Sequence, residues 1–428
     1  MKKSIALVLA LLMTFSMVAC NSGSSSTPPA DNPPATNTTD NTSTTEAPPV
    51  ELTSSGDPVV LKFWESAVEG AEFTQMIAAE FTQMYPHITF EFEPVSHTDA
   101  TQQILLDGPA GVGPDFFMIP HDMLGANTSA QVVLPAPNPS HITDNFVDAA
   151  VTAATSGGTV YGYPMSIETY ALFYNKDLLP NPPKTFDEVL AFAAEYNNPA
   201  ENKYALVWEP NNAYFSYIFF SGYGSQLFGP NGDDPMQHNI NAPATVKGVE
   251  FFQSLRSILD VPSADLGGDF CNQAFENGLA AMYLVGPWRI ADCVASGINF
   301  GITTIPSFPG ESSPPASFSG VRIFCISAYT DHPTEAAMFL EYLTSADVQL
   351  RRFEANGQIP ARKDVTVSDE FSAGILSQAA YAFPMPSINE MGQYWQTMGA
   401  AYGDIWDGAD VVSTLNAAAE VMEANIGQ

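Results

Sequence analysis

The segment YGYPMSIETYALFYNKDLLPNPPKTF, from Tyr161 to Phe186, constrains the fold of this chain more than any other. It joins an apolar run to a lone acid, Glu168, and then to a rigid turn. Strand-forming Tyr170, Leu172, Phe173 and Tyr174 follow the acid on what should be a half-buried pleated surface, so that a carboxylate is held beside a fixed scaffold. Pro180, Pro182 and Pro183 end the strand because proline fixes φ and offers no amide hydrogen. Thr185 with Glu188 three residues on is a capping box, which predicts a helix through Val189, Leu190 and Phe192.

The chain has 428 residues, enough for two domains and a large core. Its N-terminus is set apart from that core. Lys2 and Lys3 precede an apolar run from Ile5 to Val18 ending at Ala19 and Cys20, the pattern of a secretory signal, and no other segment is long and apolar enough to span a bilayer. Small residues followed by Cys20 resemble the lipobox of bacterial lipoproteins, although Met17 stands where Leu is usual. That resemblance implies acylation at Cys20, and the plainer alternative is an ordinary signal peptide with an incidental cysteine. From residue 21 to about 56 the composition collapses to Ser, Thr, Pro, Asn, Asp and Ala, which reads as a disordered tether.

The formal charge is -33, from 14 basic and 47 acidic residues. The scarcity of cations argues against nucleic acid, anionic lipid surfaces and phosphate-rich ligands, and in favour of a neutral one. Beyond Cys20, Cys271 and Cys293 could bridge, and free buried thiols suit the sequence at least as well. The spacing of Cys and His does not match a zinc site.

Strand and helix patterns alternate through the body. Val59–Trp64, Ile88–Phe92 and Asp115–Ile119 read as strands, and Phe73, Ile77, Phe81 and Met84 recur at helical spacing, as does the stretch from Asp99 to Leu106. Further helices are predicted over Asp187–Tyr196, Thr245–Leu259, Pro333–Leu343 and Ser413–Asn425, with strands over Leu279–Val285, Phe300–Ile305 and Val321–Ile326. The fold class is therefore α/β, with a mostly parallel sheet covered by helices and two lobes. Ligands of such sheets sit at the carboxyl ends of strands or between domains.

Catalytic signatures are missing: there is no nucleophile elbow, zinc-protease helix, phosphate loop or dinucleotide fingerprint. What stands out is aromatic residues beside turn chemistry: Gly286-Pro287-Trp288, Tyr394 and Trp395 after the turn at Pro384–Pro386, and Tyr214 and Phe215 after Glu209, Pro210, Asn211 and Asn212. Aromatic faces stack on the apolar face of a sugar ring while carboxylates and amides bond its hydroxyls. Core packing accounts for any single one of these aromatics about as well.

Taken in order, these pieces resemble the extracellular solute-binding proteins of ABC importers, most closely the maltose/maltodextrin-binding branch. The match runs through Gly113-Pro114-Asp115, His121-Asp122, Tyr163-Pro164, Glu168, Tyr174 to Thr185, Glu209-Pro210, Tyr214-Phe215, Gly286-Pro287-Trp288, Met385-Pro386 and Trp395. The resemblance implies a periplasmic-binding-protein-like fold of two discontinuous lobes joined by a hinge: 57–166 with 323–370, and 167–322 with 371–428. It assigns Asp122, Glu168 and Glu209 to sugar hydroxyls, Tyr214, Trp288 and Trp395 to stacking, and Met385 to a cleft contact. It implies a monomer without cofactor or metal that captures a maltodextrin-like oligosaccharide outside the cell and passes it to a membrane permease. A surface glycoside hydrolase or a carbohydrate adhesin are the alternatives. This chain departs from the maltose binders at Ile119 and Met123, where a Trp and an Arg are expected, and the loop from Glu65 to Glu69 lacks a Lys. Extra polar residues also precede Tyr214. The departures weaken the case for maltose itself and leave longer or differently linked glucans as ligands.

Overall fold

The computed structural model describes residues 52–67 and 70–426. The signal segment, Cys20 and the tether up to residue 51 lie outside the described residues. Ser54, expected at the tether's end, donates to Glu335 Oε1 at 2.7 Å and pairs with His87, so it belongs to the folded body.

The first strand, β1 (Val59–Glu65), runs parallel to β2 (Ile88–Pro94) and to β3 (Phe116–Pro120). Helix α1 (Ala71–Met84) joins the first two, burying Phe73, Ile77 and Phe81 at the spacing read from the sequence. Helix α2 (Ala100–Asp107) then leads to β3. These elements build one lobe, whose apolar core also includes Ile323 to Ile326 and the buried face of the helix Pro333–Leu343.

The sheet is mixed, not mostly parallel as expected. The long strand Phe318–Ser327 runs antiparallel to β3 on one side and to the strand Gly162–Thr169 on the other. The reason is connectivity: this strand returns to the sheet from the other lobe, entering at the end where Gly162–Thr169 leaves it, so no crossover helix imposes a parallel direction.

The segment from Tyr161 to Phe186 is two strands, one in each sheet. Gly162–Thr169 ends beside the lobe boundary, Tyr170 interrupts the ladder, and Ala171–Asn175 opens the second sheet. That sheet has the order Phe300–Thr303, Ala171–Asn175, Ala280–Val285, Tyr204–Val207. Tyr170, Leu172 and Phe173 are fully buried, not half-buried, because the second lobe covers both faces of its sheet; Phe173 alone meets the rings of Phe300 and Phe275. The predicted strand to Ile305 stops at Thr303, and the helix predicted to Leu259 ends at Ser254 before a short 3-10 turn.

Cys271, Cys293 and Cys325 are free buried thiols, so the pair left open by the sequence is not a disulfide. Burial pushes the Cys293 thiol up to about 12, which keeps it uncharged and unreactive.

After the proline turn the capping box forms as read: Thr185 Oγ1 accepts from the Glu188 amide, and Glu188 Oε2 accepts from the Thr185 and Lys184 amides. Thr185→Ala is expected to lower unfolding free energy by about 1 kcal/mol, read as a shifted urea midpoint at unchanged slope.

Candidate functional site

Between the lobes lies an open cavity of about 740 Å³. All seven residues singled out in the sequence line it: Asp122, Glu168, Glu209, Tyr214, Trp288, Met385 and Trp395. They come from both lobes and from the crossing strands, so the site exists only in the folded pair of lobes.

Its floor is the crossing. Glu168 lies opposite Gly320 on the long strand, and two residues on, Arg322 places Nε 2.6 Å from Glu168 Oε1, with both side chains nearly buried. Ser166 adds a long hydrogen bond of 3.4 Å to the same oxygen. Glu168 thus reaches the cleft as one half of an ion pair. Sequence reasoning passed over Arg322, although a signal was there: an arginine inside the apolar run from Val321 to Ile326 must find a buried partner.

Asp122 sits in a short 3-10 turn directly after β3. Its Oδ2 accepts from Trp395 Nε1 at 2.9 Å, while the buried Oδ1 has no hydrogen-bond partner. Burial raises the Asp122 carboxyl to about 6, and the Trp395 hydrogen bond works against that rise. The result is a carboxylate held rigidly on one side and unsatisfied on the other, ready to accept from a ligand hydroxyl.

The neighbouring His121 is structural. Its Nδ1 lies 3.2 Å from the Val321 amide, which can only donate, so Nε2 carries the proton and donates to the Met385 carbonyl at 3.0 Å. Burial lowers this imidazole to about 4, keeping it neutral. His121 thereby ties the long strand to the segment that presents Met385. Gly320 leaves room for the Met385 methyl, which a Cβ there would approach to 2.7 Å.

The opposite wall is aromatic. The Trp288 ring folds back over Gly286, where an added Cβ would lie 2.1 Å from the indole; this is why a glycine precedes the Pro-Trp pair. Asn212, one of the extra polar residues, accepts from the Tyr214 amide at 3.0 Å and so orients Tyr214, whose ring lies 6.3 Å from Trp288 and 4.9 Å from Tyr170. Burial raises the Glu209 carboxyl beside this turn, and Asn212 opposes the shift.

The departures separate on inspection. Ile119 is wholly buried in the sheet core and does not line the cavity, whereas Met123 does. Glu65 pairs with Arg352 at 2.8 Å in the lobe interior, and the rest of that loop to Glu69 is only partly described. Ser96, His97 and Thr98, unremarked in the sequence, add a polar rim, with His97 Nδ1 2.7 Å from Ser66 Oγ. Among the described residues no group of His, Cys, Asp and Glu could hold a metal ion. The cleft therefore offers aromatic faces and hydroxyl acceptors, a combination suited to a neutral polyhydroxylated ring.

Comparison with known proteins agrees with the fold. Residues 76–379 match the family described as bacterial extracellular solute-binding protein, and this chain belongs to that family. It is 30% identical to the maltodextrin-binding protein MdxE of Bacillus subtilis over 83% of this chain and 87% of the relative. A cyclo/maltodextrin-binding protein solved with maltotetraose superposes with a TM-score of 0.74 at 34% identity, covering 88% of this chain and 99% of that one. The Thermus thermophilus maltotriose-binding protein, solved with maltotriose, gives a TM-score of 0.78 at 27% identity over 85% and 99% of the two chains. The fold is thus the α/β, two-lobed solute-binding fold, and the family serves transport rather than catalysis.

Two outcomes follow from the buried charges. The Asp122 carboxyl lies above its unfolded value of 3.8, so its ionised form costs stability above pH 6 and that cost fades as pH falls towards 4. Asp122→Asn is expected to stabilise the unliganded protein by about 2–3 kcal/mol at pH 7 and by little at pH 4, measured by urea unfolding at both. Arg322→Leu, which leaves Glu168 with an uncompensated buried charge, is expected to cost about 3–5 kcal/mol, most of it recovered in the double variant with Glu168→Gln.

Proposed function

We propose that this protein captures a maltodextrin-like oligosaccharide outside the cell and delivers it to the permease of an ABC importer, as a monomer held at the membrane by a lipid on Cys20. The observation that carries the reading is the Asp122–Trp395 pair. It presents one unsatisfied buried carboxylate oxygen in a cavity walled by Tyr214, Trp288 and Trp395. A glucose ring offers an apolar face to such rings and hydroxyls to such an oxygen. The names of the relatives and solved neighbours point to the same ligand class.

In this reading Asp122, Glu168 and Glu209 bond hydroxyls, Tyr214, Trp288 and Trp395 stack, and Met385 packs against the sugar edge. The lobes, 57–166 with 323–370 and 167–322 with 371–428, close about the crossings near Glu168 and Arg322, and the permease recognises the closed form. Glu168 is committed to Arg322 and Asp122 to Trp395, which favours binding over acid and base roles in hydrolysis. No cofactor or metal enters the scheme.

Titration calorimetry with maltose, maltotriose and longer maltodextrins tests the proposal. Heat of binding is expected, weakening as pH drops through about 6 because a protonated Asp122 accepts less well. Asp122→Ala should weaken binding about tenfold or more, the loss of a charge-assisted hydrogen bond. The absence of heat with every maltodextrin would exclude this ligand class, and the appearance of shorter sugars on long incubation would restore the hydrolase.

A further inference from the structure

At the pole of the first lobe opposite the cleft, α2 ends in an apolar knob. Its last turn presents Leu105 and Leu106, and the chain then turns through residues 108–113, where the Val112 and Gly113 amides donate back to the Asp107 carbonyl at 3.1 Å. A Cβ at Gly113 would meet Ile104 Cδ1 at 3.3 Å, so the loop lies against the helix it leaves. Tyr329, just past the long strand, sits so close to Gly108 that a Cβ there would meet its ring at 2.2 Å. Leu105, Leu106, Val112 and Tyr329 therefore belong to one surface, and it is open: Leu106 is 70% exposed and Val112 55%. Apolar side chains exposed singly are ordinary, but four on one packed knob mark a surface that meets a partner.

Its position in the fold selects the partner. Val112 lies level with the start of β1, because the Asp115 amide donates to the Lys62 carbonyl and the Val112 carbonyl accepts from Lys62 Nζ at 2.8 Å. The chain enters the described body at the same end: Leu52 packs on the lobe core, and Ser54 reaches Glu335 and His87, whose carbonyl accepts from the Val59 amide. Asp122 and the cleft lie at the other end of these strands. Residues 21–51 separate Cys20 from this entry point, 31 residues that span at most about 110 Å.

We propose that the knob is a docking surface for the lipid bilayer: resting on the membrane through Leu105, Leu106, Val112 and Tyr329, the body turns its cleft towards the medium from which it takes sugar. The inference rests on the reading that a lipid on Cys20 holds the protein at the membrane, and adds to it how the held body is oriented.

Charge narrows the surface that the knob fits. From Leu105 to Pro114 the only ionisable residue is Asp107, which accepts from Gln103 Nε2. Lys62, the cation beside the knob, is engaged by Glu93 at 2.6 Å and by the Val112 carbonyl. Attraction to anionic headgroups is therefore small, and the chain's charge of -33 opposes it. A zwitterionic interface suits the knob: aliphatic side chains enter the acyl boundary, and a tyrosine ring suits headgroup depth. Contact through four side chains is weak, but a body that cannot leave the surface meets it at high effective concentration, so weak affinity suffices.

Hydrogen exchange on the chain from Cys20 onward, coupled through the Cys20 thiol to a maleimide lipid in phosphatidylcholine vesicles, tests this; the other three thiols are buried. Amides of residues 104–113 and 328–330 are expected to exchange at least about threefold more slowly than in the same chain mixed with vesicles lacking the maleimide lipid, and amides around Asp122 at an unchanged rate. Leu106→Asp and Val112→Asp, each at an exposed position, should each abolish the slowing while leaving the thermal transition and the maltotriose affinity unchanged. Unslowed exchange in the coupled chain, or slowing that survives both substitutions, would overturn the proposal. Slowing that grows with the surface density of protein would assign the knob to a second copy of the chain, and slowing in native membranes but not in phosphatidylcholine would assign it to a membrane protein; either result removes the bilayer as partner. Mass spectrometry of the protein extracted from its own cells checks the underlying reading separately: an unmodified Cys20 would overturn the tethered orientation whatever the vesicles show.

Discussion

The ion pair between Glu168 and Arg322 is the interaction on which the rest of the site depends. It lies where two neighbouring strands carry the chain between lobes, and it joins the last turn of one strand to the first part of the other. Two charges leave water there at a cost that only close pairing offsets, so neither residue is replaceable alone. The strand register shifts between Arg322 and Ile323, immediately after the arginine, which aims its side chain at the cleft while the residues beyond return to the core. The floor of the cavity is therefore a specific electrostatic contact rather than a generic polar surface.

Around that floor each candidate side chain is held by a specific contact. Trp395 is held by Asp122, Trp288 by its packing over Gly286, Tyr214 by the Asn212 turn, and Met385 by neutral His121. Groups already ordered lose little entropy on binding, so more of the contact energy survives as affinity. The absence of an arginine at Met123 is set against a guanidinium supplied from a different strand, by Arg322.

Much of this architecture could be read from the chain. Periodicity located α1, β1, β2 and the helix after Thr185 to within a residue or two, because burial of one face repeats at the element's own spacing. The seven candidate residues were those the ordered resemblance to the maltodextrin-binding branch implied, and the fold brings all of them to one cavity. Less legible were relations across the sheet. The direction of the strand Phe318–Ser327, the split at Tyr170, the partner of Arg322 and the unbridged Cys271 and Cys293 all depend on which distant segments become neighbours.

Local spacing and end signals determined the elements and the α/β class, since these are set by residues within a few positions of one another. Tertiary structure alone decided that Trp395 meets Asp122 across 273 residues and that Glu168 is paired with Arg322. Such contacts form between side chains with no local sequence relation, and they appear only when the chain, by crossing between lobes, brings two sheets and their loops to a common gap.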